Sequence, residues 1–212
     1  MKCQKVKKES LAAARQQEII RACEELYETM EYEDISIKEI AKSTSICRSN
    51  IYNYYQTKDE IFLDILEKDY LSWTKDIREA MDREEQPGRE AYCRNIAGTA
   101  ALHPRLLKLM AVHYITIEKN CSLEKLTAFK HAIHPFQETM EEVLTRYFPK
   151  APREKIQNFI FLLLSLVQGI YSMTSLCEKQ VKAMQEVNPD YRMPDFTDAL
   201  YQALYILTSD LL

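Results

Sequence analysis

Arg48, Ser49, Asn50, Asn53 and Tyr54 crowd into one short stretch, RSNIYNYY, and each can donate or accept hydrogen bonds. A guanidinium can donate twice, to guanine O6 and N7 or to a phosphate. The amides of Asn50 and Asn53 match the donor and acceptor on an adenine edge, and a Tyr suits a phosphate or a thymine methyl. Read as a helix from Arg48 to Tyr55, the stretch buries Ile51 and Tyr55 and turns those polar groups outward. The other chemistries that a helical chain can support find no residues here. None of the four histidines has a Glu or Asp three residues earlier, so a carboxylate-bridged di-iron site is excluded. There is no P-loop, G-x-G-x-x-G, G-x-S-x-G or H-E-x-x-H. His131 and His134 share a spacing that two metal ligands could use, but no thiolate or carboxylate in the neighbouring sequence completes a set. No catalytic residue, metal or cofactor is expected.

Positioning that polar face needs two further elements. Ser36 to Glu39 forms an S-x-x-E capping box that starts a helix through about Ser43, with Ile37, Ile40 and Ala41 inward. Thr44-Ser45-Ile46 is a tight turn into the polar stretch. A first helix from about Leu11 to Met30 supports the pair, with Ile19, Ile20, Cys23, Leu26 and Tyr27 on one face. Two short helices joined by a turn and backed by a third can enter a groove about 12 Å wide. The same pattern also suits three helices of an ordinary bundle with polar residues facing water.

The remaining sequence reads as helix after helix. Expected elements are Lys58–Met81, Arg89–Leu102, Pro104–Glu118, Ser122–Phe148, Arg153–Cys177 with a less apolar extension to about Val187, and Phe196–Leu212. Pro135 should kink the fourth near Ala132 or split it. Three glycines in 212 residues are too few for the turns of a β-rich fold, so the chain is expected to be all α. Six scattered cysteines without a C-x-x-C pair fit a reducing compartment, and the longest apolar run, Phe159 to Leu164, is too short to span a bilayer. A cytoplasmic protein is expected. Net charge is −4, yet residues 1–21 carry Lys2, Lys5, Lys7, Lys8, Arg15 and Arg21 against Glu9 and Glu18. A basic arm on an acidic body is compatible with local phosphate contact.

IAKSTSICRSNIYNYYQTKDEIF resembles the signature of TetR-type bacterial regulators, I-A-x-x-A-G-V-S-x-x-x-[LI]-Y-x-[HY]-F-x-[SN]-K-[ED]-x-L. Ile40, Ala41, Ile46, Ile51, Tyr52, Tyr54, Tyr55, Thr57, Lys58, Asp59 and Ile61 match or substitute conservatively, and the likeness is specific over residues 16–66. Two positions depart from it. Ser45 stands at the usual turn glycine and Cys47 at the usual Ser cap, where a small residue filling a cap competes with a thiol-sensing role. The resemblance implies an N-terminal three-helix helix-turn-helix DNA-binding domain, 1–57, and a larger helical regulatory and dimerisation domain of about nine helices, 58–212. It implies DNA contacts from Ser36, Lys38, Arg48, Ser49, Asn50, Tyr52, Asn53, Tyr54 and Lys58. The implied function is that of a ligand-released repressor, a homodimer on a pseudo-palindromic operator in double-stranded DNA, with no membrane partner.

The family dimerises through its last two long helices. Arg153–Cys177 is too apolar for a solvent face, which agrees, and Ile160, Leu163, Leu164, Val167, Tyr171, Leu200, Leu204 and Leu207 are the expected contact residues. A small-molecule effector should lie among Arg89–Phe148 and the start of Arg153–Cys177. His103, His113, Tyr114, His131, His134, Gln168, Tyr171 and Met173 are the polar or polarisable groups on those otherwise apolar helices, and Phe129 lies among them. Taken singly, each also suits an ordinary core or surface position. The rival reading is a helical ligand-binding or interaction protein that does not bind DNA; Glu31, Glu33 and Asp34 beside the expected DNA face favour it.

Overall fold

The computed structural model describes the backbone of residues 2–212 and the side chains of residues 10–212. The side chains of Lys2, Lys5, Lys7, Lys8 and Glu9, on which the basic arm rests, lie outside the described residues. Among the described residues the secondary structure is helical throughout. The contacts divide the chain into two compact units, residues 1–68 with 113–132 and residues 69–112 with 133–212.

The first unit begins with helices α1 (Lys2–Thr29), α2 (Ile37–Lys42) and α3 (Arg48–Ile51), followed by the start of α4 (Lys58–Asp82). Ile19 and Cys23 of α1, Ile40 of α2, Ile51 of α3 and Ile61, Phe62 and Ile65 of α4 are fully buried. Tyr27 and Tyr32 pack their rings on Phe62 with centroids 5.2 and 4.9 Å apart. Ser36 caps α2 through a 3.3 Å bond from the Glu39 amide, as the capping box requires. The returning segment, residues 113–132, ends in helix α7 (Leu123–Ala132).

That segment is fixed to the head of α4 by polar pairs. Asn120 Nδ2 donates to Asp59 (3.4 Å), Ser122 Oγ to Glu60 (2.9 Å), and Lys125 pairs with Asp64. The same three carboxylates also accept from Tyr32 and from the end of the polar stretch. Asp59 accepts the Tyr32 hydroxyl, Glu60 the Gln56 amide at 2.8 Å, and Asp64 the Tyr55 hydroxyl at 2.6 Å. Acidic residues near a helix N-terminus are favoured by its dipole; here they serve as two-sided clamps as well.

The second unit holds α5 (Arg89–Ala101), α6 (Pro104–Val112), α8 (His134–Tyr147), α9 (Arg153–Thr174), α10 (Glu178–Val187) and α11 (Phe196–Leu207), together with the rest of α4. Trp73 is fully buried, donates to Thr99 Oγ1 at 3.2 Å and packs on Phe136 at 5.2 Å. Tyr92 gathers Tyr147, Phe148 and Phe159 around its ring. Arg105 forms a two-bond fork with Asp69 (2.9 and 2.6 Å).

Element boundaries differ from the sequence expectation in several places. The helix expected over Pro104–Glu118 stops at Val112; His113–Ile117 widens into a π turn and Glu118–Asn120 tightens into a 3₁₀ turn. Helix Ser122–Phe148 is split, one of the two outcomes expected at Pro135, which sits in the first turn of α8, where its missing N–H costs nothing. The helix expected over Arg48–Tyr55 is regular only through Ile51. Asn53 and Tyr54 then bond three residues back, to Asn50 (3.2 Å) and Ile51 (2.9 Å), while the Tyr55 amide reaches Ile51 four back at 3.1 Å. The stretch therefore stays coiled but winds more tightly past Ile51.

The apolar helix α9 is long enough to cross a membrane by length and composition alone, although its longest unbroken apolar run is not. In this protein Ile156, Phe159, Ile160, Leu163 and Val167 bury one of its faces. That face packs in the second unit with α6, α8 and α11.

Candidate nucleic-acid interface

The residues with base-reading chemistry come together on one exposed surface. Ile51 is fully buried and Tyr55 nearly so, while Arg48, Ser49, Asn50, Tyr52 and Asn53 are exposed and Tyr54 is half-buried. Two apolar anchors thus set the rotation of a four-residue helix too short to be stable alone. Arg48 leans on Tyr52, with its guanidinium 6.0 Å from the ring and 3.4 Å from the hydroxyl. That contact pre-arranges two side chains that otherwise lose much rotamer freedom on binding. Asn53 and Tyr54 line an open cleft of about 310 Å³ that Ser122 and Lys125 also line. Tyr55 lines it too, and the Lys125 ammonium sits 5.4 Å over its ring.

The flanking positions differ in what they have free. Lys38 is exposed. Ser36 is half-buried and its hydroxyl is engaged with Glu39. Lys58, which the resemblance assigned to phosphate, directs its ammonium to the Tyr32 carbonyl and the Glu33 carbonyl (3.4 Å) and lies 4.3 Å over the Tyr32 ring. A phosphate contact from Lys58 has to share or replace those bonds.

The Ser36 hydroxyl and the Lys42 ammonium (2.9 Å) hold the Glu39 carboxyl down at about 2, below its ordinary 4.5. A depressed folded-state pKa contributes stability above the ordinary value, and that contribution is lost as pH falls toward about 2. Ser36→Ala should therefore flatten the acid dependence of the melting temperature between pH 4.5 and about 2. Melting curves across that range check it.

The turn between α2 and α3 explains how Ser45 occupies a glycine position. No described residue has a positive φ, so the chain turns without the left-handed conformation that calls for glycine. Cys47 is extended at the N-cap of α3 and makes no side-chain cap bond; its Sγ lies 3.3 Å from Ser49 Oγ. That hydroxyl and the Asn50 amide lower the thiol pKa.

The eight expected effector residues divide between the two units. His113, Tyr114 and His131 belong to the first unit, and His103, His134, Gln168, Tyr171 and Met173 to the second. His113 is fully buried, stacks on Tyr114 at 4.3 Å, meets the edge of Phe129 at 5.5 Å and faces Glu118 at 2.7 Å. His103 Nε2 pairs with Asp76 at 2.8 Å. His131 and His134 are exposed, and His134 lies 3.6 Å from Glu138 on its own helix. Gln168 and Tyr171 are half-buried and Met173 is exposed. Among the described residues, no group of three or more His, Cys, Asp or Glu side chains is arranged to hold a metal ion.

The expected dimer residues divide by face. Leu163, Val167, Leu200 and Leu204 are fully buried within the protomer and Ile160 nearly so, leaving them little or no surface for a partner. The division is geometric: α9 is apolar almost all round, so composition does not say which side turns inward. Leu164, Tyr171 and Leu207 stay half-buried. Phe161, 68% exposed, Met173, 72%, and Ile206 on α11, 71%, carry the outward apolar surface instead.

Comparison with known proteins adds the family. The domain described as "Tetracyclin repressor-like, C-terminal domain" matches residues 67–209. The chain belongs to that family. Its members are DNA-binding transcriptional regulators. The TetR-type fold extends over nearly the whole chain in solved structures. The Thermus thermophilus FadR repressor, solved with lauroyl-CoA, aligns over 93% of this chain and 95% of its own, at 18% identity and TM-score 0.63. FadR of Bacillus halodurans aligns over 91% and 93%, at 17% identity and TM-score 0.54. A TetR-family regulator of Streptomyces coelicolor aligns over 93% and 99%, at 13% identity and TM-score 0.58. No curated protein sequence matches significantly.

Proposed function

We propose that this TetR-family chain is a ligand-released repressor that binds a pseudo-palindromic operator as a cytoplasmic homodimer, and that it is not an enzyme. Arg48, Asn50 and Asn53 read base edges; Ser49, Tyr52 and Tyr54 supplement them; Lys38 meets phosphate. The observation that carries this reading is the exposed array from Arg48 to Asn53, held in one orientation by buried Ile51 and Tyr55. Residues 1–57 form the reading domain and 58–212 the regulatory and dimerisation domain.

The partner subunit packs on the outward faces of α9 and α11, around Phe161, Leu164 and Ile206. A C₂ pair places the two reading heads about 34–36 Å apart, one turn of DNA. A small-molecule effector binds the helical body and shifts α4, whose first residues clamp Tyr55 and Gln56 through Asp64 and Glu60. Operator affinity then falls by as much as the effector prefers the shifted state. The test is selection of genomic fragments by the purified protein, with affinity followed against salt. Phosphate contacts release counterions, so enrichment of a discrete site with steeply salt-dependent binding supports the reading. Failure to enrich any site contradicts it.

A further inference from the structure

The turn that aims the reading helix lacks the two devices that usually hold such turns: its glycine position is Ser45 and its cap residue Cys47 makes no side-chain cap bond. The Ile46 amide and those on either side of the turn nonetheless close locally. The Ser43 amide bonds Ile40 O at 3.1 Å, the Ile46 amide bonds Thr44 Oγ1 at 3.3 Å, and the Asn50 amide bonds Cys47 O at 2.9 Å. The Ser45 amide does not. It donates across the unit to Glu18 Oε1 on α1, at 2.5 Å and 27 residues away in sequence. The helix is anchored beside Glu18, because the next two residues, Ile19 and Ile20, are buried in the core of the unit.

Resting on the DNA-reading assignment above, we infer that Glu18 is a positioning residue for operator recognition, fixing the turn Thr44–Cys47 so that Arg48, Asn50 and Asn53 present in register. The bond ties the middle of the turn to the longest helix of the unit. Without it, α3 hangs between Ile46 and Ile51, with no cap of its own to hold its first turn. The carboxyl is drawn down from its ordinary range by the Ser45 amide and hydroxyl first, then by Arg21 and Arg15, so it is an anionic acceptor at neutral pH. An amide donating to a charged acceptor makes a stronger bond than one between neutral groups.

A bystander carboxylate and a positioning one predict opposite signs. An idle negative charge beside a DNA-binding surface repels phosphate, so neutralising it tightens binding to every sequence. A positioning acceptor makes Glu18→Ala weaken operator binding, by about tenfold for one lost bond of this kind, with binding to unrelated DNA unchanged or tighter. Glu18→Gln keeps an acceptor oxygen but loses its charge, so its operator affinity falls between those of wild type and Glu18→Ala.

The full-length protein is titrated with the selected operator and with scrambled DNA, after circular dichroism and sedimentation show intact fold and dimer. The Ser45 amide resonance in ¹⁵N-serine-labelled protein provides a second readout that does not depend on Glu18→Ala folding. It should move upfield in Glu18→Ala and less far upfield in Glu18→Gln. Operator binding by Glu18→Ala at or above the wild-type level overturns the inference, as does a Ser45 resonance unmoved by the loss of the acceptor. Those outcomes leave the DNA-reading assignment standing, since that fails only if the wild type shows no preference for operator over scrambled DNA.

Discussion

Replacing Arg48 and Asn53 together with alanine should abolish operator-specific binding while leaving the dimer and its melting temperature close to wild type. Both side chains are exposed, so truncation opens no cavity and breaks no core contact. A good bidentate contact to a base edge contributes about 1–3 kcal/mol of discrimination. Two such contacts in each head, and two heads in a dimer, remove most of the gap between specific and non-specific affinity. Arg48 carries a further consequence through Tyr52, whose hydroxyl it contacts at 3.4 Å. Gel-shift titration on operator and scrambled DNA measures the loss, and sedimentation verifies the dimer. Undiminished operator binding would remove α3 as the reading element.

The second large effect lies on the other unit. Phe161→Glu combined with Ile206→Glu should convert the dimer to a folded monomer and cost operator affinity severely. Both residues expose about 70% of their surface in the single chain, so a charge there is harmless to the protomer. In an apolar dimer seam, the same charge is desolvated without a partner. Losing the dimer also removes the tethering of one head by the other, which alone multiplies affinity by about 10²–10⁴. By contrast, Leu163→Glu or Leu204→Glu should unfold the protomer, since both side chains are fully buried. Sedimentation and circular dichroism of the two sets distinguish a seam residue from a core residue. A double variant that remains dimeric would place the interface elsewhere.

How much of this was readable in the residues depends on range. Local signals carried well. The Ser36–Glu39 box caps α2 as written, and Pro135 ends one helix and begins the next. Cys23, Ile51 and Tyr55 are in the core where their spacing put them. The TetR-type signature over residues 16–66 named the family that the C-terminal match then supplied independently.

Features set by long-range contact were not readable. Nothing in the sequence near Glu18 indicates that its carboxylate reaches the Ser45 amide. Nothing near Asn120, Ser122 or Lys125 assigns them to Asp59, Glu60 and Asp64, and so residues 113–132 could not be placed with the reading head. The inward side of α9 was hidden for a different reason: a helix apolar almost all round has no directional pattern to read. The short α3 and the π turn at His113 reflect small changes of winding that residue type scarcely encodes. Scattered polar residues gave no distances, and the expected effector group accordingly spreads over both units.

The central claim, that this chain is a sequence-reading DNA regulator, is tested most directly by equilibrium binding of the wild-type protein to its selected genomic fragment across a salt series, beside a scrambled fragment of equal length. The expected result is a linear fall of log affinity with log salt, with a slope of about −0.9 for each phosphate contacted, and a specific-to-scrambled ratio of about 10³ or more. Equal affinity for the two fragments, or binding that does not change with salt, would contradict it.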